Sequence, residues 1–336
     1  MKQAFLERIV VPRLRRNSFP LLVAILLTAG ANGAMGQSFP TRPITLVVGS
    51  EPGSAPDIIG RIVGGKIAES IGQSVVIENR PGAVGTIAAT QVARAKPDGY
   101  TLFVGSVSTH PISKALRPDL AYDPERSFTP IGHVASVPLV FVTSPSLGVR
   151  TITELSALAR SRSGALNYSS PGSGGPQHLT AELFKSRAKL DIVHVPFKSG
   201  GAAVTALLGG EVQLSVVGMP PALAQVKAGK LVALAVTTGR RSALAPDVPT
   251  VAEAGLSGFE ADNWHAMFAP AALPGPVQEL LSAHLARALA NPEVQQQLMR
   301  SGAEARFMPP ADLATLLREE TAKWGSVVRS SGIKLD

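Results

Sequence analysis

The 336-residue sequence contains no cysteine. That absence excludes disulfide scaffolds, thiolate zinc sites, iron–sulfur clusters and cysteine nucleophiles together. Charged residues are also scarce, at 17%, beside a hydrophobic content of 45%, a balance that excludes a disordered chain. Aromatic residues make up only 5%, and none sits in an RNA-binding signature. The formal net charge of +8 points toward nucleic acid, yet much of it sits at the extreme N-terminus and no dense basic stripe follows, so no nucleic-acid partner is expected. No His-Glu-x-x-His appears among the six histidines at 110, 133, 178, 194, 265 and 284, so no metal or other cofactor is expected.

What is present begins with an export signal over residues 1–36. Lys2, Arg8, Arg13, Arg15 and Arg16 stand against Glu7, an apolar stretch runs from Phe19 to about Gly30, and small residues end at Ala34-Met35-Gly36. The apolar stretch is shorter than the ~20 residues a spanning helix needs, so it reads as a cleaved signal peptide and places the mature protein in the periplasm. Arg15-Arg16 leaves twin-arginine and general secretion both open.

After Pro40, short apolar runs alternate with helical segments. Ile44–Val48, Val75–Glu78 and Tyr100–Gly105 read as strands around helices Asp57–Ile71 and Thr86–Ala95, and the alternation restarts after Pro138 with Leu139–Thr143. Strands separated by helices predict parallel βαβ units in an α/β fold. Thr151-x-x-Glu154 reads as a capping box, and Asn291-Pro292 as a helix start. From Pro274 the chain is mostly helical. The apolar run Ala266–Ala269 either returns the chain to the first unit, giving two lobes and a cleft, or belongs to a second sequential domain.

Two strand–loop–helix junctions carry the candidate chemistry. Gly49-Ser50-Glu51-Pro52-Gly53-Ser54-Ala55-Pro56-Asp57 follows the first strand, and Ser169-Ser170-Pro171-Gly172-Ser173-Gly174-Gly175-Pro176 precedes a helix opening with Gln177-His178. Small residues before a helix let backbone N–H groups approach a ligand, and the helix N-terminus favours an anion. Facing each other, two such loops suit a carboxylate held without metal; each alone is also an ordinary turn. Enzymatic templates fail. No Ser stands in Gly-x-Ser-x-Gly, and Gly60–Ile67 imitates a phosphate loop but has Ile67 where Ser or Thr is required and falls inside a predicted helix.

Several stretches together resemble one family: Val75-Val76-Ile77-Glu78-Asn79-Arg80-Pro81-Gly82, Lys96-Pro97-Asp98-Gly99-Tyr100, Tyr122-Asp123-Pro124, His194-Val195-Pro196-Phe197-Lys198 and Pro246-Asp247-Val248-Pro249-Thr250, with Lys323-Trp324 near the end. The ordered set is similar to the Bug-type extracytoplasmic solute-binding proteins, receptors of tripartite tricarboxylate transporters. The resemblance implies a two-lobed periplasmic-binding-protein fold, type II-like, with a two-segment hinge. The first lobe would take 37–140 and 265–336, and the second 141–264. It implies a receptor, and no enzyme, that captures a small carboxylated or zwitterionic solute between the lobes for membrane permease subunits. Two rivals remain: a sensing subunit signalling to a membrane kinase, and a serine hydrolase using Ser173 with His178. The resemblance places ligand contacts at Ser50, Glu51, Gly53, Ser54, Ala55 and Asp57 in the first loop, and Ser170, Gly172, Ser173 and His178 in the second. Ser106, Ser108, Thr109 and Lys198 complete the expected set. Glu51 beside an anion site would repel a polyanion, by roughly 4 kcal/mol at ~4 Å and an effective dielectric near 20. That favours a zwitterionic or hydroxylated ligand.

Overall fold

The computed structural model describes residues 39–333, so the export signal and its cleavage site near Gly36 lie outside the described residues. From Arg42 onward the chain forms one compact unit containing two sheets.

The first half of the chain gives β1 (Ile44–Val48), α1 (Ala55–Ile71), β2 (Val75–Asn79), α2 (Thr86–Ala93), β3 (Thr101–Ser106), a wide helical turn over Ser108–Ile112 and the short α3 (Ser113–Leu116). Then come β4 (Phe128–Ser136), β5 (Leu139–Thr143), α4 (Ile152–Ser161), β6 (Asn167–Ser170), α5 (Pro176–Ala188), β7 (Val193–Pro196) and α6 (Gly200–Leu208). The remainder is β8 (Leu214–Gly218), α7 (Met219–Lys227), β9 (Val232–Val236), β10 (Trp264–Pro270), α8 (Gly275–Ala290), α9 (Pro292–Arg300), β11 (Glu304–Met308) and α10 (Pro310–Ser331). Asn291 caps α9 by accepting from the N–H groups of Glu293 and Val294. Thr151 accepts from the Glu154 N–H, while the Glu154 carboxylate takes the Arg150 N–H, one residue before its usual capping-box partner.

Six strands form one sheet in the order β11-β4-β10-β3-β1-β2, and five form the other as β7-β6-β8-β5-β9. Sheet one therefore draws on residues before 137 and after 263, and sheet two on those between. The chain does return, which is the two-lobed arrangement. All-parallel pairing does not hold, however. β10 runs antiparallel to β3 and β4, β11 is antiparallel to β4, and β5 is antiparallel to both β8 and β9. A strand that crosses between lobes and returns without a covering helix enters each sheet from the opposite end, so it adds antiparallel. The crossing segments lie side by side, with the Val137 N–H donating to the Asn263 carbonyl at 3.1 Å and the Thr237 hydroxyl to the Ala261 carbonyl at 2.6 Å.

Both sheets are covered on their faces, so their central strands read as runs of apolar residues. Leu46, Val47, Val48, Phe103, Phe141, Val142 and Phe268 are fully buried. The phosphate-loop mimic lies within α1, as its pattern implied, and its glycine has a packing reason. A Cβ on Gly60 would stand 3.3 Å from Val48 Cγ2, so the missing side chain brings α1 close to the sheet and aims its first turn past the end of β1.

Candidate functional site

A cleft of about 260 Å³ opens beyond the C-terminal ends of β1 and β3. That is small beside the ~300–1,000 Å³ of drug-sized sites. Its walls come from five places: Gly49, Ser50, Ala55 and Pro56 before and in α1; Val84 and Gly85 before α2; Val104, Ser106, Ser108 and Thr109 at the end of β3; Pro176 and Gln177 opening α5; and Asn263 and His265 of the returning strand. No Asp, Glu, Lys or Arg is among these lining residues. The first turns of α1 and α5 both abut the cleft, and neither helix has a side-chain cap. Thr151, Ser199 and Asn291 cap α4, α6 and α9, whereas α2, α7, α8 and α10 lack a side-chain cap as α1 and α5 do; only α1 and α5 bring their first turns to the cleft. Uncapped first turns leave N–H groups and the positive end of each helix dipole for an anion.

The first loop is fastened by Asp57, which is buried. Its carboxylate accepts from the Gly53 N–H at 2.8 Å, Arg61 Nε at 3.0 Å and Asn79 Nδ2 at 2.9 Å. Burial pushes this carboxyl up, but the bonds from Arg61, Gly53 and Asn79 outweigh that and hold it below the ordinary carboxylate range. Asn79 also donates to the Ser50 carbonyl at 3.0 Å, so one amide side chain sets both ends of the loop. Ser54 donates to the Glu51 carbonyl at 2.7 Å, and the Ser50 and Ser54 hydroxyls meet at 2.6 Å. Gly49 and Gly85 touch: a Cβ on Gly49 would stand 2.8 Å from Gly85 Cα, so two glycines let the loop close against the segment before α2.

The second loop is fastened by rings. His178 stacks on His194 with centroids 3.8 Å apart, and His194 stacks on Tyr168 at 4.8 Å. His178 Nδ1 accepts from the Gly174 N–H at 3.0 Å. The Ser170 hydroxyl donates to the Gly172 carbonyl at 2.9 Å, so its 2.7 Å contact with His194 is satisfied when His194 carries its proton on Nε2. Burial pushes both imidazoles down to about 4, the pair's mutual repulsion adding to it at His194, so the stack is neutral at neutral pH.

Of the expected contacts, the structure places Ser50, Ala55, Ser106, Ser108 and Thr109 on the cleft wall. Gly53, Ser54 and Asp57 stand behind the first loop and shape it, while Ser170, Gly172 and His178 do the same for the second. Glu51, Ser173 and Lys198 are exposed and outside the cleft lining. The repulsion expected from Glu51 therefore loses its basis, because the loop turns that side chain to solvent, and with it goes the preference it gave for a zwitterionic or hydroxylated ligand. A serine hydrolase also lacks its geometry: Ser173 makes no hydrogen bond to His178, whose Nδ1 is occupied by Gly174.

Sequence reasoning missed Val84, Gly85, Val104, Asn263 and His265, and it named Gly49, Pro56, Pro176 and Gln177 only as parts of the two loops. His265 is 4% exposed, and neither ring nitrogen meets a protein partner. Burial, with a smaller push from His133, takes it down to about 3, so it too is neutral. An unsatisfied buried polar group costs about 1–3 kcal/mol; His110, Thr143 and Trp264 also carry one, but of the four only His265 lines the cleft. A second cavity, of about 240 Å³, is lined by Ser136, Arg240, Glu260, Asp262, Glu304 and Arg306 among others. Two of its three carboxylates already have partners: Glu304 accepts from Ser242 and, at 3.0 Å, from the Ala243 N–H, and Ser136 donates to Asp262.

Residues 59–333 match the family model of the tripartite tricarboxylate transporter family receptor. The chain belongs to this receptor family. Its relatives include BugT of Bordetella pertussis, 34% identical over 92% of this chain and 96% of BugT. Among solved structures it is similar to MatC from Rhodopseudomonas palustris with bound malate, at 35% identity and a TM-score of 0.71, covering 86% of this chain and 100% of that one. It is similar also to R. palustris Rpa4515 with adipate, at 33% identity and a TM-score of 0.73, covering 88% and 99%. These receptors are binding proteins, and the two-lobed fold is theirs. Among the described residues no helix is long and apolar enough to cross a membrane.

Proposed function

We propose that this receptor is exported to the periplasm, where it captures a small organic carboxylate in the cleft between its lobes and delivers it to the permease of a tripartite tricarboxylate-type transporter. One observation carries the reading: two uncapped helix N-termini, of α1 and α5, meet at a cleft whose lining holds no charged side chain. Such a site neutralises a carboxylate with backbone N–H groups and dipoles, avoiding the desolvation of a buried arginine or lysine. The hydroxyls of Ser106 and Ser108, which donate to no other protein group, supply further hydrogen bonds. Malate in MatC and adipate in Rpa4515 support the ligand class.

Capture needs only that the ligand bind the closed arrangement better than the open one, so no cofactor or chemical step enters. The test is a thermal-shift and calorimetric screen of the mature chain against mono- and dicarboxylates. A ligand at 100 times its Kd adds about 2.7 kcal/mol of stability, a melting shift that is easily seen. Binding of an acid recovered unchanged after prolonged incubation supports the receptor. Turnover of the acid, or no binding by any acid to protein cleared of copurified solute by unfolding and refolding, refutes it.

A further inference from the structure

The cleft has two kinds of wall. Helix N-termini and hydroxyls form one, and the returning strand forms the other with Asn263 and His265. His265 pairs directly with Ser106 across the antiparallel ladder of β10 and β3, and both residues line the cleft. Side chains opposite one another in such a pair stand about 5 Å apart, close enough to share one ligand group. The Ser106 hydroxyl has no hydrogen bond to another protein group, and neither ring nitrogen of His265 has one. Both nitrogens are sealed from bulk water, so a partner reaches them only when carried into the cleft and met by a turn of the ring.

Resting on the carboxylate-receptor reading above, we propose that His265, with Ser106 beside it, is a specificity-determining residue that selects acids bearing a hydroxyl group over the same acids without one. A neutral imidazole presents one donor and one acceptor. A hydroxyl group can answer both. A carboxylate only accepts and leaves the acceptor nitrogen alone; an ammonium group only donates and leaves the N–H alone. With the carboxylate held by the helix ends, the neutral strand is left to read the rest of the molecule. A site built to hydrogen-bond a hydroxyl discriminates against the analogue lacking it, because its own polar groups then remain buried and unpaired.

The test is calorimetric binding of matched acid pairs to the mature chain: malate against succinate, lactate against propionate, and 3-hydroxybutyrate against butyrate. The wild type is expected to bind the hydroxylated member of at least one pair about tenfold or more tighter, one good hydrogen bond's worth. His265→Phe should reduce that ratio to about twofold or less, mainly by weakening the hydroxy acid, as loss of this hydrogen bond implies. His265→Asn keeps a donor and an acceptor and should retain part of the ratio. Should His265→Phe fail to fold, Ser106→Ala carries the test: weakening of the hydroxy acid by roughly threefold to tenfold, with its partner unchanged, is the expected result. Binding without discrimination in the wild type, or discrimination that survives these substitutions, overturns the inference alone. Silence from every pair refutes carboxylate capture and takes the inference with it.

Discussion

Two loops of the same sequence character are fastened in opposite ways. Gly49–Asp57 and Ser169–His178 are each rich in Gly and Ser, and each leads from a strand into a helix whose first turn faces the cleft. The first is tied by an ionised carboxylate held by an arginine, an amide and a backbone N–H. The second is tied by a neutral stack of two imidazoles on a tyrosine. Small residues specify that backbone can approach a ligand; they do not say what holds it there. The fastener lies in the strands and helices next to the loop, so it differs while the loop composition stays alike.

The comparison breaks most severely at Asp57. Asp57→Ala leaves the Gly53 N–H and one N–H of the Asn79 amide without an acceptor, and urea denaturation should register a loss of about 3 kcal/mol together with weakened ligand binding. Unchanged stability would mean the carboxylate is not the tie. Next in size is Gly49→Ala, whose methyl group would meet Gly85 backbone; it should cost about 2 kcal/mol and leave the second loop's histidine resonances in place.

Acidity sharpens the contrast, because the two fasteners titrate in different windows. A histidine held at about 4 when folded and 6.5 when unfolded takes up its proton more readily unfolded, so stability is full above pH 6.5 and falls as pH drops toward 4. The Asp57 contribution has the same sign but a lower window: present above the ordinary carboxyl value of 3.8, it is lost only below it. NMR titration of His178 and His194 should give midpoints near 4, with the first loop intact throughout. Between pH 7.5 and 5.5, His178→Phe should remove about 1 kcal/mol of the wild-type stability loss. The smallest expected effects are at the exposed positions. Glu51→Gln and Lys198→Ala should alter stability by no more than about 0.5 kcal/mol and leave carboxylate affinity as it was.

The helices and most strands were legible because their signals are local. Thr151 and Asn291 mark helix starts by side-chain caps, and the apolar runs at Ile44–Val48 and Leu139–Thr143 mark buried strands. The first-loop serine Ser50 and the cluster Ser106, Ser108 and Thr109 were legible for a related reason, since the C-terminal ends of parallel strands open toward a crevice. β4 and β11 were not, because their antiparallel pairing joins residues far apart in the chain, with Glu304 opposite Ser136. His265 escaped because it stands in a continuously buried, mostly apolar run, Trp264–Pro270, which reads as ordinary core.

By itself the sequence determined the α/β class, the two Gly/Ser-rich strand–helix junctions and the absence of metal-binding or nucleophile motifs, all properties of neighbouring residues. Tertiary structure decided which face of each loop meets the cleft. It turned Glu51 to solvent, withdrew Asp57 and His178 into the loops' supports, and brought Asn263 and His265 to the wall from the returning strand. The reason is chain connectivity. A cleft between two lobes is lined by segments more than 200 residues apart, and only the pairing of the returning β10 with β3 fixes which side chains arrive there.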